Sequence, residues 1–549
     1  MLNKLRADEI GLTVRHTPLG EAQKNNSSKG VLLPGADHVR PLVRSTKTLT
    51  AGVLLISALF LYLQLFRLPA TPRYPSGDQS IYLNHAARMV DGDLIYRDFD
   101  HFTPPGTDVV YAALFWIFGV RTWIPQAMLI AIGLLTVYLG IGISKKVLSG
   151  ASVYLPAMLF LTLPYSSYCD GTHHWYSSLA TTAALTVVLE KRNSARIAWS
   201  GLLWGVAIFF TQSVALGVVG MALFLAWEGR QLREGARDLL KKEGILFASV
   251  VTTLVALSAY FLVRVGIRRF LYFTVVFVAK YYPADSFNTW RVYMTDHPKF
   301  ADWMNWPNLA SFFFIHLLLP SIYILFYVRY RKDRRLSSSE PWRPLMLIAF
   351  VGLFLLFSVV PAPAFSRLAS VSLPGLILLV WFLKPPFQVE RSLRVVAWCT
   401  VIVVTIARPT IEQVRPVQLL NLPTGSTAFS EPILFEKCRW SSLRSNAGDF
   451  FFGDQNIAFS LRLRNAGRVS FLRPTDYTRP EEVQDLIASL ERHQVKLVSW
   501  YAGLDREGVL HPTGDHLNPV RTYLHEHYRL AKVFANGDQI WMRKQTLNQ

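Results

Sequence analysis

Residues 74–107 form a dense polar stretch whose side chains are of the types that transfer protons and bind anions. The stretch reads YPSGDQSIYLNHAARMVDGDLIYRDFDHFTPPGT and directly follows the first long apolar run of the chain. Its most reactive side chains are Asp78, Asp91, Asp93, Asp98, Asp100, Arg88, Arg97 and His101. Carboxylates can remove protons from hydroxyl groups, and cationic side chains can bind charged oxygens. Because much of the remaining chain is apolar, we expect chemistry to take place here.

The first aspartate of the stretch, Asp78, lies in YPSGDQSIY, which has the pattern of a helix start. Gly77 frees the backbone, and Ser76 can cap a helix that begins near Asp78. Such a helix would place Asp78, Tyr82 and His85 near one face. Asp78 is therefore either a functional carboxylate on that face or an ordinary helix-start carboxylate stabilised by the helix dipole.

The composition predicts an α-helical polytopic membrane protein. Of 549 residues, 51% are hydrophobic and 17% are charged, whereas soluble domains are about one quarter charged. Many of the Lys and Arg residues behind the net charge of +20 lie in short loops between apolar runs. There they set topology and can contact anionic lipid headgroups. No nucleic-acid motif is present, so the expected partner is a lipid bilayer and not nucleic acid.

Hydropathy predicts about eleven membrane crossings. The predicted spans are 48–66, 123–143, 151–167, 174–189, 196–210, 212–227, 244–264, 308–328, 345–361, 367–383 and 394–408. The apolar segment 108–119 is short for a crossing, so it either crosses the membrane or lies at its surface. We favour a juxtamembrane helix, because Lys145-Lys146 and the later basic loops then all face the inside.

Charge and hydropathy together divide the chain into three parts. Residues 1–47 are predicted to form a basic cytoplasmic tail, 48–408 a transmembrane domain, and 409–549 a small external α/β domain. The transmembrane domain carries two long external loops, 67–122 and 265–307. The proposed outside segments contain no N-x-S/T sequon, which favours a bacterial envelope. The expected location is the bacterial inner membrane, with the C-terminal domain in the periplasm.

The order of residues in and after the polar stretch resembles the first external loop of the C-type glycosyltransferases, membrane enzymes that use polyprenyl-phosphate sugars. The shared features are an apolar first span, an early Asp (GDQSIY), the pattern A-x5-G-x3-Y-x-D (Ala86, Gly92, Tyr96, Asp98), the pair Pro104-Pro105 and an apolar run ending in Phe118-Gly119. The resemblance is closest to the bacterial branch related to protein O-mannosyltransferases and lipid A aminoarabinose transferases. The many spans and the C-terminal domain extend it over the whole chain.

The resemblance implies that Asp78 is the catalytic base of an inverting sugar transfer. The carboxylate would take the proton of an acceptor hydroxyl that attacks the anomeric carbon opposite the phosphate. The leaving lipid phosphate needs cationic or hydrogen-bonding partners, for which Arg97, His101 and Arg367 are candidates. The aminoarabinose transferases carry a lysine just before the prolines, where this chain has Thr103. This departure argues against aminoarabinose as the sugar.

Both arginines also have ordinary structural interpretations. Arg97 would then be an exposed partner of Asp98 or Asp100, worth little energetically. Arg367 would be a topology or snorkelling arginine at the membrane interface. The positive-inside rule disfavours an arginine at the outer face, which weakens the second interpretation.

Further candidates lie in the later loops. Asp170 matches a second acidic residue that members of the resembled family often carry, and it would position the acceptor or a cation. His174 lies nearby, although the adjacent pair His173-His174 is poor metal spacing by itself. Lys280, Tyr281 and Tyr282, in the second long loop, would contact the phosphate. No cofactor or metal ligand set is certain, and a divalent cation held by Asp78 and Asp170 stays an option.

The remaining motifs carry little chemistry. The three cysteines, Cys169, Cys399 and Cys438, match no disulfide framework or metal spacing. A disulfide bond between Cys169 and Cys438 is feasible, but no sequence pattern supports it. His511, Asp515 and His516 in HPTGDHLNP are interpreted as part of a polar loop and not as a metal site.

The leading hypothesis is a membrane glycosyltransferase with a polyprenyl-phosphate sugar donor and an envelope acceptor, namely a glycolipid, polysaccharide or protein. A lipid-linked sugar transporter or flippase is one alternative. It predicts polar residues within the spans, of which Gln212 and His316 are the main examples. A polysaccharide polymerase or ligase is another, usually without a large C-terminal domain. A non-catalytic envelope scaffold would not need the aspartate-rich stretch.

Overall fold

The computed structural model describes residues 46–75, 77–296, 306–333, 341–383, 388–505 and 516–544. Nearly all of the predicted tail 1–47 lies outside these residues, as do Ser76, His511 and Asp515. The described part is mainly helical, with its largest sheet near the C-terminus.

Apolar runs and the polar stretch between them form the first group of helices. They are α1 (Thr46–Leu65), α2 (Gln79–Val90), α3 (Gly106–Phe118), α4 (Trp123–Ser144), α5 (Leu155–Phe160), α6 (His173–Val188), α7 (Ser194–Phe210), α8 (Ala215–Leu232) and α9 (Ala236–Val265). Two short antiparallel strands, β1 (Phe66–Arg67) and β2 (Thr71–Pro72), connect α1 to α2. Helix α2 begins where the sequence predicts a helix start, directly after Asp78.

The second group of helices leads to the C-terminal domain. It comprises α10 (Ile267–Leu271), α11 (Val278–Lys280), α12 (Val292–Thr295), α13 (Trp306–Phe312), α14 (Leu319–Asp333), α15 (Trp342–Val359), α16 (Phe365–Ser370), α17 (Leu373–Phe382) and α18 (Gln388–Val414). Helix α18 continues to Val414, past the predicted span end at 408. The described residues also include three π-helical segments, in which the backbone hydrogen bonds run from i to i+5. They are Leu161–Tyr165, Tyr272–Phe277 and Phe313–Leu318. The first contains Pro164, which has no N–H to donate.

This chain is an α-helical integral membrane protein, as the composition predicts. Seven helical stretches among the described residues are long and apolar enough to cross a membrane. They are Lys47–Leu65, Trp123–Ser144, Gln212–Leu232, Ala236–Val265, Trp306–Asp333, Trp342–Val359 and Glu390–Val414. The other predicted spans fold as shorter helices, for example α7 and α17, so the count of eleven crossings stays a prediction.

Helix α3, the short apolar segment that starts near residue 108, has both ends close to the face that carries the C-terminal domain. At its start, Gly106 packs on the Phe209 carbonyl near the end of α7, where a Cβ would lie 2.6 Å from that oxygen. Just beyond its end, the Thr122 N–H donates to the Thr424 carbonyl of the C-terminal domain at 3.0 Å. Whether α3 lies along the membrane surface or crosses it stays a prediction.

The C-terminal domain is a small mixed α/β unit, as its sequence patterns predict. It contains the strands β3 (Gln418–Leu422), β4 (Gly425–Phe429), β5 (Phe450–Phe452), β6 (Arg464–Asn465), β7 (Leu497–Trp500), β8 (Tyr528–Val533) and β9 (Gln539–Arg543), and the helices α19 (Pro432–Ser442), α20 (Gln455–Ser460), α21 (Pro480–Arg492) and α22 (Asn518–His527). β3 and β4 form a hairpin, and the larger sheet has the order β6-β5-β7-β9-β8. The turn at Gly537, with φ +86, joins β8 to β9.

The C-terminal domain is joined to the polar stretch after α1 by backbone and side-chain contacts. The Tyr74 N–H donates to the Ala428 carbonyl at 2.9 Å, and the Asp100 N–H donates to the Arg468 carbonyl at 2.9 Å. The Arg468 guanidinium also pairs with the Asp100 carboxylate at 3.0 Å. Because these contacts bracket residues 74–100, the C-terminal domain fixes the stretch that carries Asp78.

Candidate active site

A cavity of about 510 Å³ lies where the polar stretch, the second long loop and the C-terminal domain meet. The polar stretch contributes Asp78, Tyr82, His85, Asp100, His101 and Phe102 to its walls. His173, His174, Tyr282, Asp285 and Arg367 line it from the later loops, and Ser470, Phe471, Arg473, Tyr477 and Glu482 from the C-terminal domain. Of the predicted site residues, the cavity therefore brings together Asp78, His101, His174, Tyr282 and Arg367.

Asp78 immediately precedes α2, and its side chain is open to the cavity. Gly77 before it has φ +91, a conformation that favours glycine. A Cβ on Gly77 would also lie 2.9 Å from Oδ2 of Asp170. The surrounding protein withholds bulk water and raises the pKa of Asp78, although Arg367 and Arg473 act in the opposite direction. A raised pKa makes the carboxylate a stronger base than an ordinary surface aspartate.

Asp170 lies directly behind Asp78 and supports the start of α2. Its Oδ1 accepts the Gln79 backbone N–H at 3.0 Å, and the Gln79 side chain in turn accepts the Gly171 N–H at 2.9 Å. Burial, and then the neighbouring Asp78 carboxylate, raise the pKa of Asp170. Asp170 is buried and is not among the described residues that line the cavity, so it contacts the start of α2 and not the cavity.

Two arginines bring positive charge to the same cavity. The Arg367 guanidinium donates to the Tyr282 hydroxyl at 2.7 Å and to Asn288 Oδ1 at 2.9 Å. Arg473 of the C-terminal domain pairs with the Asp285 carboxylate at 3.1 Å. Both arginines line the cavity into which Asp78 opens, and both lower the pKa of its carboxyl group. Guanidinium groups in such a place can bind a phosphate leaving group.

His101 lies in the cavity wall with a second histidine and a buried carboxylate. His85 Nδ1 is 3.2 Å from Asp108 Oδ1, and His101 Nε2 is 3.6 Å from Asp108 Oδ2. Burial lowers the pKa of His101 to about 3 and raises the pKa of Asp108 to about 6. His101 is therefore neutral at pH 7, so it can contribute hydrogen bonds to a phosphate but no positive charge.

His174 and its neighbour form a third group of ring nitrogens in the wall. The rings of His173 and His174 lie 4.0 Å apart between centroids. His173 Nδ1 is hydrogen-bonded to the Tyr82 hydroxyl on α2. Both histidines line the cavity, and His173 also connects the start of α6 to α2.

Aromatic rings cover another part of the cavity. The ring centroids of Phe102 and Tyr282 are 4.7 Å apart, and those of Phe277 and Tyr477 are 5.3 Å apart. Phe471 stacks on Tyr477 at 5.6 Å. Such a surface suits the apolar face of a ring-shaped or branched ligand, while the carboxylate and arginines opposite it suit polar groups.

Arg97 does not reach the cavity. Its side chain is exposed and donates to its neighbour Asp98, with Nη2 2.7 Å from Oδ2. It lines a separate polar groove together with Arg462 and Arg468. The structural interpretation of Arg97 given above, an exposed ion pair with Asp98, is the arrangement found.

Lys280 and Tyr281 also lie outside the set of cavity-lining residues. The Lys280 ammonium is exposed and lies 5.0 Å from the centroid of the Tyr281 ring. The Tyr281 ring packs against the Arg479 guanidinium, at 5.6 Å. Of the three adjacent residues, Tyr282 alone is found among the described residues that line the cavity.

The residues that the sequence did not identify come chiefly from the C-terminal domain. Arg473 and Tyr477 lie in FLRPTDYTRP, between β6 and α21. This segment has no motif, so nothing local in the sequence marks it. Its role follows from a long-range contact, in which the domain folds back onto the polar stretch. All three cysteines are free, so the Cys169–Cys438 bond is not formed.

Solved structures resemble this chain in fold, whereas the sequence comparisons found no match. No family model and no curated protein matches the sequence. ArnT from Cupriavidus metallidurans bound to undecaprenyl phosphate matches with a TM-score of 0.55 at 12% identity, over 91% of this chain and 98% of that one. ArnT in the apo state matches with a TM-score of 0.54 at 12% identity, over 90% and 98%.

A more distant structural match is the archaeal oligosaccharyltransferase AglB from Archaeoglobus fulgidus, in complex with an inhibitory peptide and a dolichol-phosphate. Its TM-score is 0.48 at 12% identity, over 92% of this chain and 75% of that one. The likeness to ArnT extends over nearly the whole of both chains and includes the C-terminal domain. This chain therefore has the fold of the C-type glycosyltransferases.

Proposed function

We propose that this protein transfers a sugar from a polyprenyl-phosphate-linked donor to a hydroxyl group of an envelope acceptor, with inversion at the anomeric carbon. The acceptor is a glycolipid, a polysaccharide or a protein. The N-terminus would lie in the cytoplasm, and the cavity and the C-terminal domain on the outer side of the bacterial inner membrane.

One observation carries this proposal. The Asp78 carboxylate opens into the same cavity as Arg367 and Arg473, in a fold shared with a protein whose structure holds undecaprenyl phosphate. Among the described residues, Asp78 has no ion-pair partner. A base without a partner opposite two cations is the arrangement that transfer away from a phosphate requires.

The proposal gives each group a role in the transfer. The acceptor oxygen forms a bond to the anomeric carbon on the side opposite the phosphate, while the bond from that carbon to the phosphate oxygen breaks. The acceptor proton moves to an oxygen of Asp78, and the electron pair of the breaking bond stays on the polyprenyl phosphate. Arg367 and Arg473 would bind this phosphate, and Asp170 would hold Asp78 in place. No contact with substrate is assigned to Arg97, Lys280 or Tyr281.

The remaining cavity groups would orient the substrates. The aromatic rings of Phe102, Tyr282 and Tyr477 would pack against the sugar or the first isoprenyl units. His101 and His174, which face the cavity, would hydrogen-bond to the sugar or to the phosphate.

The direct test is transfer by the purified protein from a panel of undecaprenyl-phosphate sugars in detergent or liposomes. We expect one or a few donors to release undecaprenyl phosphate and to yield a product of inverted anomeric configuration by NMR. Retention of configuration would contradict the roles assigned above. Movement of the donor across liposome membranes without cleavage would instead support the flippase alternative.

A further inference from the structure

We propose that His85, His101 and Asp108 form a binding site for a divalent transition-metal ion of the Zn²⁺ class, in the wall of the cavity. The three residues come from α2, from the loop after it and from the start of α3. This site is separate from Asp78 and Asp170. The inference does not depend on the proposed transferase function, because it concerns metal binding alone.

The spacing of the ligand atoms fits a small tetrahedral ion. His85 Nδ1 lies 3.2 Å from Asp108 Oδ1, and His101 Nε2 lies 3.6 Å from Asp108 Oδ2. One ligand atom from each residue lies within 4.8 Å of the others. Zn²⁺ binds His nitrogen and carboxylate oxygen at about 2.0–2.2 Å, which places tetrahedral ligands roughly 3.3 Å apart. Small side-chain movements would therefore close the site around the ion.

The charge balance also calls for a cation. Asp108 is completely buried, and in the described part of the chain no Lys or Arg forms an ion pair with it. Its Oδ2 has no hydrogen-bond partner among the described residues. An uncompensated buried carboxylate costs several kcal/mol. A divalent ion would neutralise the carboxylate and use the free oxygen as a ligand.

The surroundings of the three residues have the features of a metal site with an open position. His85 uses its other ring nitrogen, Nε2, for a 2.6 Å hydrogen bond to Ser470 Oγ, as metal-bound histidines commonly do. Two of the three residues, His85 and His101, line the cavity, so an ion can enter from it. A water molecule would supply the fourth ligand, and His101 Nε2 would exchange its hydrogen bond with the Thr103 hydroxyl for the ion.

Metal binding would tie α2 to α3, and through Ser470 to the C-terminal domain. His85 lies on the same helix that Asp78 precedes, so the ion would stiffen the element that positions the proposed base. The competing arrangement has no metal. In it, Ser470, His85 and Asp108 form a hydrogen-bonded chain that serves only to join the two domains.

The first test is metal binding by the full-length protein in detergent after treatment with a chelator. We expect about one Zn²⁺ per chain to rebind, with a rise in melting temperature. Co²⁺ should give the intense visible absorption of a tetrahedral site. His525→Ala, which removes an exposed histidine of α22, should bind like the wild type. Failure of the folded wild-type protein to bind Zn²⁺ or Co²⁺ would overturn the proposal.

The second test identifies the ligands. Asp108→Asn and His85→Ala should weaken Zn²⁺ binding at least tenfold. His101→Cys replaces a nitrogen ligand by a thiolate, so its Co²⁺ complex should gain a sulfur-to-cobalt charge-transfer band in the near ultraviolet. This gain of signal distinguishes ligation from a general loss of folding. Bound Co²⁺ whose spectrum is the same in His101→Cys and in the wild type would place the ion elsewhere and overturn the assignment.

Discussion

At the scale of single residues, Asp78 differs from the other four aspartates of the polar stretch by what surrounds it. Each of the others has an arginine partner: Asp91 with Arg462, Asp93 with Arg88, Asp98 with Arg97 and Asp100 with Arg468. Asp78 has no such partner among the described residues and opens into the cavity. This difference fits the proposal that Asp78 acts as the base while its neighbours stabilise the loop.

The raised pKa of Asp78 predicts the pH dependence of transfer. The base must be ionised, so kcat/KM should fall as the pH drops through a pKa above about 3.9, the ordinary value of an aspartate. Arg473 lowers the pKa of Asp78, so Arg473→Gln should move this acid limb to higher pH. A pH profile of kcat/KM measures the shift.

The matched control for this prediction is Arg444→Gln, which removes an exposed arginine packed on Trp440. Its acid limb should coincide with that of the wild type. An unchanged limb in Arg473→Gln would show that Asp78 is not the titrating base.

Gly77 and Gly92 provide a second test at the residue scale. Both have positive φ, at +91 and +103, so Ala costs both positions about 1–2 kcal/mol of backbone strain. At Gly77 a Cβ would also meet Asp170 Oδ2 at 2.9 Å, while at Gly92 it would meet nothing within 4 Å. Gly77→Ala should therefore lower kcat by about tenfold or more, which corresponds to ~1.4 kcal/mol.

Gly92→Ala should lose stability to a similar extent but keep its turnover. Melting temperatures and kcat of both variants, measured side by side, make the comparison. Equal losses of kcat would mean that the contact between Gly77 and Asp170 has no part in positioning the base.

The sequence pointed to Asp78 as the proposed base through its resemblance to a family loop, and the helix start at this residue is the local part of that signal. Gly77, Asp78 and the helix after them form a recognisable helix start next to a membrane span. Arg97 lies in the same polar stretch and was also predicted to bind the phosphate. Its side chain instead pairs with the adjacent Asp98, and the sequence alone does not show which way a side chain in a turn points. Arg473 could not be predicted, since it reaches the cavity through contacts between residues almost 400 positions apart in the sequence, such as Asp100 with Arg468 and His85 with Ser470.

At the scale of elements, the segment between β6 and α21 closes the cavity from the side of the C-terminal domain. Its Tyr477 is almost completely buried and packs against Phe277 and Phe471. Tyr477→Ala should raise the KM for the lipid donor by roughly tenfold, because aromatic contacts of about 0.5–1.5 kcal/mol each are lost. Donor titration under steady-state conditions provides the measurement.

Tyr477→Phe keeps the ring and removes the hydroxyl, so its KM should stay close to that of the wild type. If the Phe variant were as impaired as the Ala variant, the hydroxyl would be the important group and the packing argument would be wrong.

The elements themselves were largely predictable from periodicity and apolar length. In the C-terminal domain, PEEVQDLIASLERH has a helix-like pattern, VKLVSWY a strand-like one, and ANGD the pattern of a hairpin turn. They fold as the helix Pro480–Arg492, strand β7 and the turn before β9. The end of α18 and the π-helical segments did not follow from the sequence, because helix ends and π-helical segments depend on packing partners and not on composition.

At the scale of the whole molecule, the positive loops and the position of the cavity predict one orientation. A fusion of alkaline phosphatase after residue 420 should be active, because the predicted topology places that point outside. After Lys145, a fusion of green fluorescent protein should fluoresce and a fusion of alkaline phosphatase should be inactive, because the predicted topology places Lys145 in the cytoplasm. If the fusions place Lys145 outside, segment 108–119 crosses the membrane. If they place residue 420 inside, the C-terminal domain does not lie at the outer face.

The fold as a whole also explains why sequence comparison found nothing while structural comparison did. Spans need apolar residues of sufficient length and not particular ones, so two chains can share a fold at 12% identity. The proposed chemistry rests on a few positions, of which Asp78 is the central one. Which residues carry out the transfer can be tested by measuring the activity of variants.

The most direct test of the account is the turnover of Asp78→Asn on a polyprenyl-phosphate sugar that the wild type uses. Asn keeps the shape of the side chain but cannot accept the proton, so kcat should fall by about 10²-fold or more. Asp93→Asn, a half-exposed aspartate of the same stretch paired with Arg88, is the matched control and should keep its turnover. Full turnover of folded Asp78→Asn would contradict the assignment of Asp78 as the base.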